Sequence, residues 1–315
     1  MSALRDALAT YVSLRRALGT RLKEPADTLG QFVDFIEEEG ATFITTERAI
    51  RWATQHDWVQ HNTWARRLSM VRGFASWLST SDPRTEIPPK GAIRSGRTRR
   101  RSYIYTDDEI GRLMAEASRM RSRTGMRAWT YTTLLGLLAS TGLRPGEALA
   151  LDCADVDLIG AILTVRQTKF GKSRLVPIDA STCTALSRYA KERNRRCPEP
   201  RSDAFLVSER GLRLVGCSAR SAFVRLSQRV GLRPQGDRGR DGHGPRLQDF
   251  RHTFATRRLI EWYRSGVDVA RAMPTLSTYL GHVLISDTYW YLQSVPELLR
   301  CATDRLQANR KAVSS

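Results

Sequence analysis

Apolar residues recur at three- and four-residue intervals through the N-terminal part of the chain. Leu4, Leu8, Tyr11, Leu14 and Leu18 predict an amphipathic helix that ends at Gly19. Leu29, Phe32, Val33 and Ile36 predict a second, with Gly40 past its end as a cap. A third, capped by Thr46, turns Ile50 and Ala53 inward. A fourth, capped by Asn62 or Thr63, buries Trp64, Leu68, Val71, Ala75 and Leu78 and stops at Asp82-Pro83. This is the pattern of a small helical bundle.

The pattern changes further on. Thr106-Asp107-Asp108-Glu109 reads as a capping box, followed by the stripe Ile110, Leu113, Met114, Ala117. Residues 126–140 predict a longer, more apolar helix. Pro145 then suits the first position of a new one carrying Ala148, Leu149 and Leu151. Two runs rich in β-branched residues, Ile162–Thr168 and Ser173–Ile178, predict a hairpin joined by Lys169-Phe170-Gly171-Lys172. Helices follow over 180–194 and 218–230, then a glycine- and arginine-rich loop from Arg233 to Arg246, of a length that is often functional. Asp249 opens a helix with Phe254 and Ile260 in its core. Leu280-Gly281-His282 reads as a helix-ending turn, before a polar start at Ser286-Asp287-Thr288. Residues 296–308 are again amphipathic. The fold class expected is mainly α with a small β-sheet: an N-terminal helical bundle (1–88), a basic linker (89–101) and an α+β domain (102–315).

Length supports two domains of ordinary size, since the chain has 315 residues. Charge narrows the partner: the net charge is +19 and the pI about 10.5, which favours a polyanion. The basic residues cluster. Residues 90–101 hold Lys90, Arg94, Arg97, Arg99, Arg100 and Arg101 and no acid, an extended strip suited to following phosphates. The bundle's polar faces carry Arg15, Arg16, Arg21, Arg66, Arg67 and Arg72, candidates for contacts that position a nucleic acid without reading it. Exposed arginines that serve only solubility are the plainer alternative. Five scattered cysteines, none in a CxxC pair, argue for reduced thiols and against a zinc site. Early charge and the lack of an apolar core in MSALRDALAT argue against a signal peptide. No run approaches the roughly 18 apolar residues of a membrane span. A cytoplasmic, nucleoid-associated location is expected. Neither a carboxylate cluster with metal spacing nor a phosphate-cradling glycine motif is present, so no cofactor is expected.

The residues with chemistry lie far apart. Tyr291 follows His282 by nine positions. Arg144 sits at a tight helix-to-helix corner, Lys169 on the hairpin loop, and Arg251 in the first turn of a helix, where the positive end favours an anion. A tyrosine served by two arginines, a lysine and a histidine suits attack on a phosphodiester. Each has a plainer role available: Arg144 paired with Glu147 on the surface, Lys169 solvated on its turn, Arg251 capping a neighbour. Tyr289 is the rival nucleophile, roughly 200° away from Tyr291 around a helix.

Four blocks, in order, carry a resemblance: TGLRPGEALAL, TKFGKSRLVP, DFRHTFAT, and LGH followed nine residues later by tyrosine. Over about residues 102–300 they resemble the catalytic domain of tyrosine recombinases, the phage integrase family. TYWYLQSVPEL also resembles the nucleophile region of recombinases carried by transposons. The resemblance implies strand cleavage and rejoining through a covalent 3′-phosphotyrosine. It assigns Arg144 and Arg251 to the scissile phosphate, Lys169 to the leaving oxygen, His282 to the second histidine position, Tyr291 to the nucleophile, and Glu147 to bracing Arg144. It implies double-stranded DNA as partner, a homotetramer on paired sites with or without accessory proteins, and a C-terminal helix that packs on its own domain or docks on a neighbouring protomer. One position departs: Gln248 stands where the family has histidine. Glutamine can hydrogen-bond a phosphate oxygen but cannot exchange a proton near neutral pH. A catalytically weakened DNA-binding protein, or a type IB topoisomerase-like enzyme, are the alternatives.

Overall fold

The computed structural model describes residues 2–20, 22–56, 61–94, 102–166, 173–237, 244–282, 284, 286–293, 300 and 303; for residues 23 and 290–293 it describes the backbone alone. It divides into two compact units, Met1–Arg100 and Arg101–Ser315.

The first unit holds α1 (Ala3–Ala17), α2 (Lys23–Glu38), α3 (Thr46–Thr54) and α4 (His61–Leu78). Their apolar stripes meet in one core around Leu8, Phe32, Ile36, Trp52, Val71 and Phe74, but Leu14 and Leu18, expected in the α1 stripe, are exposed at its C-terminal end. Phe32 meets Trp52 edge-on at 5.1 Å. Two expected caps move. Thr45, not Thr46, accepts the Arg48 N–H and starts α3, and the Thr46 N–H, free at the first helical position, is given to Glu86. Helix α4 is already helical at His61, so Asn62 and Thr63 lie inside it. Trp64 is half-buried, its indole N–H donated to the His56 carbonyl. Phe74, not expected in the stripe, is fully buried beside Val71, Ala75 and Leu78.

The second unit begins with α5 (Asp107–Ser118), where the Thr106–Glu109 capping box forms in both directions. Then come α6 (Met126–Thr141), α7 (Pro145–Ala150) and a short 3₁₀ turn over Cys153–Asp155. Strands β1 (Val156–Asp157), β2 (Ile162–Val165) and β3 (Arg174–Pro177) make an antiparallel sheet in that order. Leu163 pairs with Val176, which aligns the buried residues of both strands. The outer strand β1 is too short to show a period. Helices α8 (Ala180–Arg196), α9 (Gly216–Arg229), α10 (Asp249–Arg264), α11 (Val269–Leu280) and α12 (Ser286–Gln293) complete the described residues.

Helix α6 is apolar on most sides and sits at the centre, with α5, α8 and α10 packed on it. Its neighbours form one large core that includes Leu134, Leu138, Leu163 and Phe250. A second, smaller core joins α10 to α11 through Ala255, Leu259, Met273 and Leu276. Phe254 and Ile260, expected in the core, are half-buried at its edge; Ala255 and Leu259 take the interior positions. The loop after α9 is anchored at both described ends. Arg233 is buried and donates to Asp237 and to the Pro245 carbonyl. No helix among the described residues is long and apolar enough to cross a membrane.

Candidate active site

The corner between α6 and α7 requires glycine at 142. Its φ is +61°, and a Cβ there would come within 2.5 Å of the Phe254 ring. Arg144 follows as the residue before α7, with Pro145 at the first helical position. Its guanidinium donates to Glu147 at 2.7 Å, and its backbone N–H donates to the other carboxylate oxygen at 3.0 Å. So the plain pairing of Arg144 with Glu147 exists, but it is not a surface pair, since the Glu147 side chain is only 9% exposed.

A second arginine grips the same carboxylate. Arg174, on β3, donates to it through both terminal nitrogens, at 3.1 and 2.8 Å. Burial alone would push the Glu147 carboxyl up. The hydrogen bonds and charge of Arg174, followed by those of Arg144, outweigh burial and hold it at about 2.

The C-terminal end of α11 draws these elements together. The last carbonyls of a helix lack partners within it and form its negative end. Here arginines from three distant stretches cap them. Arg174 Nε donates to Tyr279 O at 2.9 Å, Arg251 to Leu280 O at 2.6 Å, and Arg144 to Gly281 O at 3.4 Å. Arg251 also donates to Gly142 O at 3.1 Å, so its guanidinium joins the ends of α6 and α11. It is 1% exposed, a buried charge held by two helix ends rather than an exposed cap. Gly281 has φ +68°, and a Cβ there would lie 2.7 Å from Arg174. The glycine of Leu280-Gly281-His282 thus serves both the turn and the approach of the arginine.

His282 follows directly. Its N–H closes the turn on Ser277 O at 3.0 Å, and its Nδ1 lies 2.7 Å from the hydroxyl of Thr288. Burial, then the charges of Arg251 and Arg144, push the imidazole down to about 4, with Asp287 acting in the opposite sense. The ring is therefore neutral at pH 7. Thr288 is fully buried on α12, which packs against α10 and α11. Tyr291 stands on the same helix, three residues after Thr288. Tyr289 is 44% exposed.

Gln248 precedes the first turn of α10, half-buried, with its carbonyl accepting the Arg251 N–H at 3.2 Å. Lys169 lies outside the described residues, as do Arg97, Arg99, Arg100 and Arg101 and most of the segment from 296 to 308. In the first unit, Arg66 pairs with Glu24 at 2.5 Å, both side chains exposed. Arg67 turns inward over Trp52, 5.5 Å from the ring centroid, rather than standing out from the polar face.

Sequence reasoning passed over two residues of this cluster. Arg174 was not singled out within the strand, yet it shares the inner face with Val176 while Leu175 is 62% exposed. A charged residue in phase with the buried positions was the available signal. Thr288 looked like part of a polar helix start. A hollow of about 1200 Å³ was also missed. It lies at the N-terminal end of α6 and is lined by seven arginines, among them Arg123, Arg127, Arg210 and Arg225. At 1.5 Å per residue, Arg127 is roughly 22 Å along α6 from Gly142.

A model described as the phage integrase family matches residues 104–297. The y4rB chain of Sinorhizobium fredii, named as an integrase/recombinase, is 45% identical over 311 residues, which is 98% of this chain and 98% of that one. Tyrosine recombinase XerD of Caulobacter vibrioides is 30% identical over 244 residues, covering 75% of this chain and 72% of its own. Among solved structures, the Tn1549 transposon integrase in complex with a circular intermediate DNA is similar in fold. Its TM-score is 0.66 at 15% identity, covering 97% of this chain and 100% of that one. The chain belongs to the tyrosine recombinase family, the phage integrase family.

Proposed function

We propose that the chain is a site-specific DNA recombinase, an integrase or transposase, that cuts and rejoins strands through a covalent 3′-phosphotyrosine. The observation that carries this reading is the meeting of Arg144, Arg251 and His282 at the end of α11, with α12 bringing Tyr291 from the adjoining turn.

The Tyr291 phenolic oxygen attacks the scissile phosphorus. The P–O3′ bond is kept, the P–O5′ bond breaks, and a tyrosyl ester forms. Charge gathers on the non-bridging oxygens, where guanidiniums from Arg144 and Arg251 match it in shape and sign. Such stabilisation is usually the largest catalytic contribution. A phenol ionises near 10, so a cationic surrounding is what makes it nucleophilic at pH 7. The neutral His282 can take the phenolic proton or hydrogen-bond a phosphate oxygen, whereas Gln248 can do only the second. Lys169 is the acid assigned to the departing 5′-oxygen, a role worth roughly 10²–10⁴-fold. The ester conserves the bond energy, so the 5′-hydroxyl of a partner strand can reverse the step.

Double-stranded DNA is the substrate, and a homotetramer on paired sites, with or without accessory proteins, is the working assembly. The charge of +19, the linker arginines 97, 99, 100 and 101, and the arginine-lined hollow support a polyanionic partner. The domain roles follow: residues 1–88 grip DNA, 89–101 track its backbone, and 102–315 cut it.

One observation favours a second reading, a DNA-binding protein with weakened catalysis: Gln248 in place of an ionisable residue. A nicked suicide duplex made from the DNA flanking the gene separates them. The wild type traps a covalent adduct, and Tyr291→Phe binds the duplex but traps none. A wild type that binds and never traps supports the second reading.

A further inference from the structure

Arg174 has no role in the reaction as proposed above, yet its guanidinium is tied to two other elements of the cluster. Its side chain is 11% exposed. All three guanidinium nitrogens are engaged, two on Glu147 and one on Tyr279 O. Glu147 stands between two cations: Arg144, 35% exposed, and Arg174, buried behind it. The group of three carries one net positive charge. Without Arg174, the carboxylate would face Arg144 alone and cancel it.

We propose that Arg174 is a positioning and charge-balancing residue of the active site, which neutralises Glu147 from behind so that Arg144 keeps its charge for the scissile phosphate. The geometry separates the two jobs of Glu147. One oxygen takes both Arg144 at 2.7 Å and Arg174 at 3.1 Å; the other takes Arg174 at 2.8 Å and the Arg144 backbone N–H at 3.0 Å. The carboxylate thus fixes the direction of Arg144, and the second arginine removes the electrostatic cost of that brace. The Arg174 bond to Tyr279 O ties the same group to the turn that presents His282. It also ties in β3, five residues beyond Lys169, so one guanidinium holds the hairpin, α7 and α11 together.

The proposal rests on the reading of Arg144 as a phosphate ligand, but its test needs no DNA cleavage. Inorganic phosphate is titrated into the full chain at pH 7, followed at the His282 imidazole resonance. That resonance is assigned by its loss in His282→Gln. His282 senses the charges of Arg251, Arg144 and Arg174, so its resonance responds to phosphate bound in the cluster. Arg174→Gln weakens phosphate binding at least tenfold, while Arg174→Lys, which keeps the charge, stays within about threefold of wild type. Glu147→Gln alone tightens it. The double variant Arg174→Gln/Glu147→Gln returns to within about threefold, because both members of the balancing pair are gone. That recovery excludes simple unfolding, which a second substitution would deepen. Wild-type phosphate affinity in Arg174→Gln, or no recovery in the double variant, overturns the proposal. Whether Tyr291 forms an adduct is read separately, so the two claims fail independently.

Discussion

Replacing Glu147 with glutamine removes one charge and almost no volume, which makes its consequence calculable. A carboxyl held at about 2 in the fold, against an ordinary 4.5, favours the folded state by on the order of 3 kcal/mol at pH 7. Solvent reaches the cluster past Arg144, and screening brings the figure to about 2 kcal/mol. The sign follows from the direction of the shift. The folded state binds the proton less readily than the open chain does. The stabilisation is therefore complete above 4.5 and is lost as the pH falls from 4.5 towards 2. For a unit of this size, about 2 kcal/mol corresponds to roughly 4–8 °C in the melting transition. Urea unfolding of wild type and Glu147→Gln, followed at pH 7 and at pH 3, tests this. The wild type leads by about 2 kcal/mol at pH 7 and by less than half of that at pH 3. A gap that is the same at both pH values refutes the claim that the ionised carboxylate is what the two arginines hold.

Gly281→Ala destabilises the second unit by about 2 kcal/mol or more, since a left-handed φ and a 2.7 Å approach to Arg174 are both violated; a wild-type melting curve contradicts this. The His282 imidazole shows almost no titration between pH 8 and 5 by proton NMR and has its midpoint at about 4. Its contribution to stability is correspondingly lost as the pH falls from 6.5 to about 4, and a midpoint near 6.5 refutes the burial argument. Thr288→Val, which deletes a buried partner 2.7 Å from Nδ1, costs about 1–3 kcal/mol and slows adduct formation more than duplex binding; equal losses in both refute a positioning role. Gln248→His raises the rate of adduct formation severalfold by restoring a proton-exchanging group; an unchanged rate shows that position 248 handles no proton.

The helices and the site were legible to different degrees. Local rules located the capping box at Thr106, the Pro145 start and the Gly281 stop, because each depends on one or two neighbouring residues. Periodicity gave most of the bundle core but put Leu14 and Leu18 in it, which are exposed, and misplaced caps by a residue or so, since Thr45 and Thr46 are equivalent to a local rule. Helix α11 was visible only at its end, as Pro274 inside it interrupts the helical signal. Arg144, Arg251 and His282 were each ambiguous in isolation. What brings them together is that three arginines cap one helix end, a relation among residues 144, 174, 251 and 279–281 that no local window contains. Arg174 was hidden for the same reason, since its burial depends on a carboxylate 27 positions earlier.

The central claim is that the phenolic oxygen of Tyr291 becomes joined to a DNA strand. Mass spectrometry of the peptide trapped on a nicked duplex measures it directly. The account predicts a single modified peptide, with a 3′-phosphoryl nucleotide on Tyr291. The same adduct on Tyr289, on any other residue, or on none in a preparation that exchanges strands, contradicts it.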